Sequence, residues 1–253
     1  MIPTIIQLGP LPIHSFGMMI ALMFIACVYL LGDSFEEAGV DRKLAEKFVF
    51  SSVIFGLLGA RVWYLIENIS TVKNDIWGAV ISGAGFTFYG GFVVSILVVI
   101  FLCRKHKIPA ATFFDNVGPT LALGYAIGRL GCQLAGDGDY GFTTTSFLGM
   151  SYATGVVPTA PGVLAFPTPL FESLISILIC HFLLSVRNKP SLQAPFKRWG
   201  LYLLLISSER FFIEFFRINE RFSLGFSEAQ YFSIAFCLIA LCFLLRPVKA
   251  SRA

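Results

Sequence analysis

The sequence predicts an all-α integral membrane protein with seven transmembrane helices. Its 253 residues are 56% hydrophobic and only 13% charged, whereas a soluble domain has about 25% charged residues. So few ionisable side chains cannot cover a surface that faces water. Disordered, collagen-like, disulfide-scaffold and nucleic-acid-binding proteins are excluded, because each class needs a composition that this chain lacks.

Seven apolar segments are candidates for the transmembrane helices. A helix needs about 20 mostly apolar residues to cross the hydrocarbon, and runs of this order are separated here by polar or Gly/Pro-rich breaks. The third to fifth are short or are interrupted by Gly and Pro. The predicted spans cover residues 14–32, 47–66, 86–103, 111–128, 169–186, 199–217 and 228–246.

The distribution of basic residues predicts the orientation. Short loops retain Lys and Arg on the cytoplasmic side, and thirteen of the 19 basic residues fall on one predicted side, against four on the other. Arg61 and Arg210 lie inside spans. An odd number of spans, with the N-terminus outside and the C-terminus in the cytoplasm, accounts for this asymmetry. The larger set is Arg42, Lys43, Lys47, Arg104, Lys105, Lys107, Arg187, Lys189, Lys197, Arg198, Arg246, Lys249 and Arg252; the smaller is Lys73, Arg129, Arg217 and Arg221.

Residues 129–168 are too many for a simple connection between two spans. They begin with a Gly- and Asp-rich stretch and end in a Pro-rich one, and the charge rule places them outside the cytoplasm. We therefore expect a small outer cap within a single transmembrane domain, residues 1–253. The six Cys residues form no CxxC pair, so we expect packing residues and not disulfides or metal ligands.

Arg61 is an ionisable residue inside the second predicted span. Such a residue near the bilayer centre costs about 2.5–3.5 kcal/mol and needs a partner or a water-filled cavity. Arg61 and Tyr64 share one helix face, and Ser52, Gly56 and Ala60 repeat every four residues, which predicts close helix packing. Arg61 is either a functional residue or a structural one satisfied by carbonyl groups at a helix end.

The sixth predicted span ends in an ionic edge. At about 100° per residue, Arg210, Glu214 and Arg217 lie within about 60° of one another on a helix, with four Phe residues on the opposite side. Arg210 and Glu214 can pair at i and i+4, so a structural salt bridge is one interpretation. The other is an anion site, because two Arg residues leave an excess of positive charge.

Residues 128–141 form a Gly-rich segment next to Arg129. Gly lets a backbone approach a ligand closely, and Arg can bind two phosphate oxygens, so a phospholipid head group is the expected anion. The segment contains a literal GxGxxG, but it follows an apolar span, and Asp137 and Asp139 would repel a pyrophosphate. The same two residues are too few to predict a Ca²⁺ loop.

Two further clusters open the third and fifth predicted spans, at residues 86–91 and 166–172. On the predicted topology, seven polar residues then lie near the outer ends of their spans. This shared level predicts one polar site near the outer membrane surface. The seven are Tyr89, Arg129, Asp137, Asp139, Glu172, Arg210 and Arg217.

These residues resemble a known family, the bacterial phosphatidylglycerol–prolipoprotein diacylglyceryl transferases, which are seven-span enzymes of the inner membrane. The family signature resembles residues 128–131 continuing to Tyr140 and Gly141. Four other blocks, in the family order, resemble residues 59–64, 89–91, 167–172 and 210–217. The outer cap, residues 129–168, would then be periplasmic.

The resemblance implies transfer of the diacylglyceryl group of phosphatidylglycerol to the thiol of a lipobox Cys in a prolipoprotein signal peptide. A thioether forms and glycerol 1-phosphate leaves, with no metal or other cofactor. Arg129 and Arg210 suit a leaving phosphate, because preorganised cations stabilise developing negative charge. The implied catalytic set is Arg129, Arg210, Tyr89, Glu214, Asp137 and Asp139; the implied substrate-binding set is Arg129, Arg61, Tyr64, Gly90, Gly91, Gly128, Gly131, Gly141, Glu172 and Arg217.

The chain departs from the family pattern at the expected proton acceptor. Tyr89 stands where many members have His, Cys132 stands where they usually have Asn, and the segment around Asp137 and Asp139 looks one residue longer. Tyr has a pKa of about 10 and is a poorer base than His at neutral pH. Tyr89 can be the base if the two Arg residues lower its pKa; the alternative is that Tyr89 orients the phosphate and that Asp137, Asp139 or Glu214 accepts the proton. Cys132 is interpreted as a spacer, because the attacking thiol belongs to the substrate.

Two other functions are compatible with the sequence. A seven-span transporter or receptor could bind an anionic ligand through the same Arg residues, but it should show an inverted repeat, and none is visible in the sequence. A degenerate family member could bind lipid or lipoprotein without catalysis, which Tyr89 and Cys132 leave open. Formation of a diacylglyceryl adduct distinguishes these functions from the transferase.

Overall fold

The computed structural model of the chain describes residues 1–9, 11–69 and 87–246. Seven long α-helices occupy these residues, and each overlaps one predicted span. They are α1 (Ser15–Glu37), α2 (Leu44–Glu67), α3 (Phe88–Lys105), α4 (Ala110–Ala135), α5 (Thr168–Val186), α6 (Lys197–Ile213) and α7 (Glu228–Leu245). Of the residues used for the topology and the third span, Lys73, Phe86, Lys249 and Arg252 lie outside the described residues.

Within the described residues, four helices are long and apolar enough to cross a membrane, namely α1, α2, α5 and α7. This property supports a multi-pass membrane protein. The seven-span topology, the orientation and the periplasmic position of residues 129–168 stay predictions.

The first predicted span was expected to end at residue 32, but α1 continues to Glu37. Two spans that carry site residues also end elsewhere than predicted. The fourth was predicted to end at residue 128, but α4 continues to Ala135, so Arg129 lies inside a helix. The sixth was predicted to reach residue 217, but α6 ends at Ile213 and a 3-10 turn follows over Glu214–Phe216. Arg217 is extended, with φ −91° and ψ 152°, so the helical angles predicted for this edge do not apply to it.

The helices dominate as predicted, but the described part of the chain also contains two short antiparallel strand pairs that the sequence did not predict. Strand β1 (Thr4–Leu8) pairs with β2 (Leu11–His14), immediately before α1. Strand β3 (Met150–Ser151) pairs with β4 (Leu164–Ala165) in the connection between α4 and α5. These pairs satisfy backbone groups in segments too short to leave a clear period-2 pattern in the sequence.

The chain divides into two compact units, residues 32–113 and residues 1–31 with 114–253. In the first of these, Gly56, Gly59 and Ala60 are buried on α2, and a Cβ on Gly91 would lie 3.0 Å from the Gly56 carbonyl oxygen. The small-residue face predicted for α2 is therefore confirmed, because it lets α3 approach closely. The single transmembrane domain stays a prediction.

In the other unit, α6 is fixed at its first turn by two neighbouring helices. Asp115 on α4 accepts hydrogen bonds from the backbone N–H groups of Phe196, at 2.7 Å, and Trp199, at 2.9 Å. The Lys197 ammonium donates to the carbonyl oxygens of Leu244 and Arg246 at the end of α7. These bonds satisfy orphan groups at helix ends and hold α6 against α4 and α7.

Candidate functional site

An arginine–carboxylate cluster lies in the unit formed by residues 1–31 and 114–253. It joins the last turns of α4, the second turn of α5, the end of α6 and two connecting segments. Three guanidinium groups and three carboxylates meet there. Its members are Arg129, Arg210, Arg217, Asp139, Glu172 and Glu214.

Glu172 contacts all three arginines and is fully buried. Its Oε1 lies 2.9 Å from Arg210 Nη1, and its Oε2 lies 3.2 Å from Arg129 Nε and 3.4 Å from Arg217 Nη1. The Tyr125 hydroxyl donates to Oε1 at 2.7 Å. A buried carboxylate needs such pairing, because an isolated charge is costly in a low-dielectric site. Glu172 therefore holds the three guanidinium groups in one place.

Glu214 is the second fully buried carboxylate. Its Oε2 lies 2.8 Å from Arg210 Nη2 and 3.9 Å from Arg217 Nε, and its Oε1 accepts a hydrogen bond from the Asn219 amide. The i,i+4 pair of Arg210 and Glu214 predicted from the sequence is confirmed. Arg217 joins it although it lies beyond the helix.

Asp139 is the accessible carboxylate of the cluster, with 33% of its side chain exposed. Its Oδ2 is paired with Arg129 Nη1, and its Oδ1 lies 2.5 Å from Arg217 Nη2. Burial by itself would raise the pKa of Asp139, but the guanidinium groups of Arg217 and Arg129 outweigh burial and hold that pKa below its usual range. Asp139 is therefore ionised at neutral pH.

The excess of positive charge predicted for the sixth span is balanced in this structure. Glu172 and Asp139, from other segments, neutralise the arginines together with Glu214. Arg129 and Arg210 keep 17% and 26% of their side chains exposed, against 9% for Arg217. An added anion can therefore reach the cluster, but it must compete with a carboxylate that is already present.

The backbone at Gly141 joins the segments that carry the cluster. The Gly141 N–H donates to the Phe166 carbonyl at 2.8 Å, the next N–H donates to the Phe216 carbonyl at 3.0 Å, and Gly141 pairs antiparallel with Arg217. A Cβ on Gly141 would collide with the Phe216 carbonyl oxygen. No side chain fits at this position, so close backbone packing explains why this predicted site residue is a glycine.

Gly128 and Gly131 both lie inside α4, whereas the sequence placed Gly131 in the connection after the fourth span. Their backbone N–H groups therefore belong to the helix and are not presented to a ligand. A Cβ on Gly131 would lie 3.1 Å from the Phe16 ring and 3.2 Å from the Met19 side chain on α1. Gly131 thus permits close packing of α1 against α4.

Asp137 lies beside the cluster, between Gly136 and Gly138, which have φ angles of +62° and +96°. Its Oδ1 accepts a hydrogen bond from the Asp139 N–H at 3.3 Å. Asp137 forms no ion pair within the part of the chain that the structure describes. The potential ligand atoms of Cys132, Asp137 and Asp139 lie within 4.8 Å of one another. Since both Asp139 oxygens contact arginines, this set is incomplete as a metal site.

The remaining predicted site residues lie in the unit of residues 32–113. The Arg61 guanidinium carbon lies 5.7 Å from the centroid of the Tyr64 ring, so the shared helix face is confirmed. Gly90 packs against α2, where its Cβ would lie 2.6 Å from the Gly59 carbonyl oxygen. Tyr89, at the start of α3, is exposed. The roles of these residues in substrate binding, with that of Gly91, stay predictions.

Several residues of the site were not assigned a role from the sequence. The Arg129 guanidinium carbon lies 4.9 Å from the centroid of the Tyr125 ring, a contact that the i,i+4 spacing could have indicated. Thr168 donates from Oγ1 to the Asp139 backbone oxygen at 2.7 Å. Buried Glu209 accepts hydrogen bonds from Ser176 at 2.7 and 2.9 Å. Glu209 is an ionisable residue inside a predicted span, and the same property identified Arg61 as a candidate from the sequence.

Comparison with known proteins gives one consistent family. The family model described as prolipoprotein diacylglyceryl transferase matches residues 3–246. Phosphatidylglycerol–prolipoprotein diacylglyceryl transferase 2 of Clostridium perfringens is 35% identical over 236 residues, which cover 90% of this chain and 88% of that protein. The Clostridium tetani enzyme is 28% identical over 238 residues, 94% of each chain. The Streptococcus pyogenes serotype M5 enzyme is 26% identical over 248 residues, which cover 96% of this chain and 94% of that protein.

Proposed function

The chain belongs to the prolipoprotein diacylglyceryl transferase family, and on this premise we propose that its arginine–carboxylate cluster is the site of the reaction. The enzyme transfers the diacylglyceryl group of phosphatidylglycerol to a prolipoprotein thiol and releases glycerol 1-phosphate. The acceptor is the lipobox Cys of the signal peptide, and the enzyme lies in the bacterial inner membrane. The observation that carries the proposal is the convergence of three arginines on the buried Glu172.

The reaction increases negative charge at the phosphate. The acceptor sulfur attacks the glyceryl CH₂, the carbon–oxygen bond to the phosphate breaks, and the thiol proton passes to a base. A singly charged phosphodiester becomes a phosphate monoester that carries the additional charge. Fixed cations at the departing oxygens lower the barrier most when they need no rearrangement.

The buried carboxylates supply that rigidity. Glu172 and Glu214 hold Arg210 by two different nitrogens, at 2.9 and 2.8 Å, and Glu172 also holds Arg129 and Arg217. We assign the binding of the phosphate to Arg129 and Arg217, and stabilisation of the leaving group to Arg210 with them. Positions fixed by a supporting layer of contacts are typical of catalytic sites.

Asp137 is the best placed of the three carboxylates considered as proton acceptor. Glu214 is fully buried and contacts Arg210 and Asn219, while both oxygens of Asp139 contact arginines. A guanidinium stabilises the ionised form of a carboxylate and makes it a weaker base. Asp137 forms no ion pair among the described residues and is only partly buried. The role of Tyr89 in orienting the phosphate stays a prediction from the sequence.

The family membership favours the transferase over the anion transporter or receptor considered from the sequence. The test uses the purified full chain in detergent with phosphatidylglycerol and a lipobox peptide, and detects the diacylglyceryl adduct by mass. Arg129→Ala and Arg210→Ala should lose turnover while the melting temperature shows a folded protein. Glu220→Gln, which changes an exposed carboxylate, is the control and should retain activity.

The roles of the carboxylates are tested in the same assay. Asp137→Asn should lower kcat with little change in KM for phosphatidylglycerol, because proton removal belongs to the chemical step. An unchanged kcat in Asp137→Asn would show that another group, and not Asp137, accepts the proton. No adduct with the unchanged protein, under conditions where the Clostridium perfringens relative forms one, would refute the assignment of the reaction.

A further inference from the structure

Asp139 differs from the other carboxylates of the cluster in how it is held. Glu172 and Glu214 are fully buried, whereas a third of the Asp139 side chain is exposed. Its two oxygens bridge two arginines, Oδ2 on Arg129 Nη1 and Oδ1 on Arg217 Nη2. A partly exposed carboxylate loses less when it exchanges these contacts for water than a buried one does.

The two arginines do not depend on Asp139 for their positions. Glu172 also binds Arg129 through Nε at 3.2 Å and Arg217 through Nη1 at 3.4 Å, and the Tyr125 ring lies against the Arg129 guanidinium. The N–H groups that point at Asp139 would therefore stay in place if its carboxylate left. A phosphate presents neighbouring oxygens to paired guanidinium groups as a carboxylate does.

The backbone around Asp139 is fixed on both sides. Its carbonyl oxygen accepts from Thr168 at 2.7 Å, the Gly141 N–H donates to Phe166 at 2.8 Å, and the Val157 N–H donates to the Gly136 carbonyl at 2.9 Å. Release of the carboxylate therefore requires only rotation of a short side chain and no movement of the segment.

We propose that Asp139 is an internal anion that occupies the phosphate position between Arg129 and Arg217 in the free enzyme. The phosphate of phosphatidylglycerol displaces its side chain, and the carboxylate returns when glycerol 1-phosphate leaves. This inference rests on the proposed function of the cluster, and it makes the Asp139 carboxylate a competitor of the substrate phosphate for Arg129 and Arg217. Asp139 acts here on substrate and product binding, and proton transfer is assigned to Asp137.

Charge arithmetic supports an exchange in both directions. Without Asp139, three guanidinium groups face two carboxylates, so the cluster carries one positive charge. A phosphodiester with one negative charge restores neutrality, as Asp139 did. The doubly charged product exceeds the charge of the site by one, and return of Asp139 as that product departs restores the balance.

The test compares the affinity for the product in three variants of the full chain in detergent micelles. The inhibition constant of glycerol 1-phosphate is measured in the transfer assay, together with KM for phosphatidylglycerol. Asp139→Asn should lower both about tenfold, because the amide removes the competing charge. Asp139→Glu keeps the charge and should stay within about threefold of the unchanged enzyme. Glu220→Gln should match the unchanged enzyme.

An inhibition constant that is unchanged or higher in Asp139→Asn would overturn the proposal. A merely structural role predicts weaker binding and not tighter binding, so the direction is diagnostic. If Asp139→Asn does not fold, Asp139→Ser should show the same tighter binding, and its absence there also counts against the proposal.

A second measurement does not require turnover. Glycerol 1-phosphate should raise the melting temperature of Asp139→Asn more than that of the unchanged protein, since at the same concentration a ligand that binds more tightly stabilises the folded state more. A larger rise without any adduct would support the internal anion while the proposed reaction fails. Adduct formation with equal rises would refute the internal anion alone.

Discussion

Glu172→Gln removes one negative charge from the centre of the cluster and keeps the size of the side chain. The buried carboxylate contacts three guanidinium groups and one hydroxyl. An amide oxygen can accept from one arginine, but the amide nitrogen then faces another donor. Removing one partner of a buried ion pair costs about 3–5 kcal/mol, and we expect a loss of this size in the free energy of unfolding.

Glu209→Gln is the matched control, because it makes the same change at a second buried Glu in the same unit. Glu209 accepts hydrogen bonds only from Ser176 among the described residues and forms no ion pair there. We expect a loss of about 1 kcal/mol, the usual contribution of one hydrogen bond. Both variants are compared with the unchanged protein by thermal and denaturant unfolding in the same detergent. Equal losses in the two variants would refute the reasoning that charge pairing at Glu172 holds the cluster together.

Three further predictions concern stability. Gly90→Ala should lower the free energy of unfolding by about 1–3 kcal/mol, because its Cβ would lie 2.6 Å from the Gly59 carbonyl oxygen and against Trp63. Thermal melting measures the loss of stability, and an unchanged melting temperature would contradict the packing of α2 on α3. Asp115→Ala should cost about 1–2 kcal/mol, since it leaves the N–H groups of Phe196 and Trp199 without their acceptor; Asp41→Ala, at an exposed residue, is the control and should cost less. The pKa of Asp139 is lowered in the folded state, so its charge stabilises the fold fully above the ordinary Asp pKa of about 3.9, and this contribution disappears as the pH falls through the lower folded-state pKa. The difference in melting temperature between the unchanged protein and Asp139→Asn should therefore shrink as the pH falls below the ordinary Asp pKa. A difference that grows would contradict the ion pairing.

The helices could be predicted from the sequence because hydropathy is a local property. Each of the seven described helices overlaps a predicted apolar segment. The predicted end of a span differs from the observed helix end where charged residues are present. Arg129 was expected to follow the fourth span, because the apolar run meets a Gly- and Asp-rich stretch there. In the structure α4 continues past it, since Glu172 and Asp139 pair with its guanidinium.

The residue types of the site could be predicted, but their pairing could not. Arg210 and Glu214 are four residues apart, and Glu214 directly follows the last residue of α6, so their contact follows from helix geometry. The contact of Arg210 with Glu172 spans 38 positions in the chain and depends on how α5 and α6 pack. The different environments of Asp137 and Asp139, two residues apart, also depend on tertiary contacts, because only Asp139 reaches the arginines.

The most direct test of the account measures transfer from phosphatidylglycerol to a lipobox peptide by Arg129→Lys. Lys keeps the positive charge but cannot contact Glu172 and a phosphate with separate nitrogens of one planar group. We expect a loss of kcat/KM of about 10²-fold or more, with a melting temperature that shows a folded protein. A kcat/KM within about threefold of the unchanged enzyme would contradict the claim that this cluster holds the phosphate.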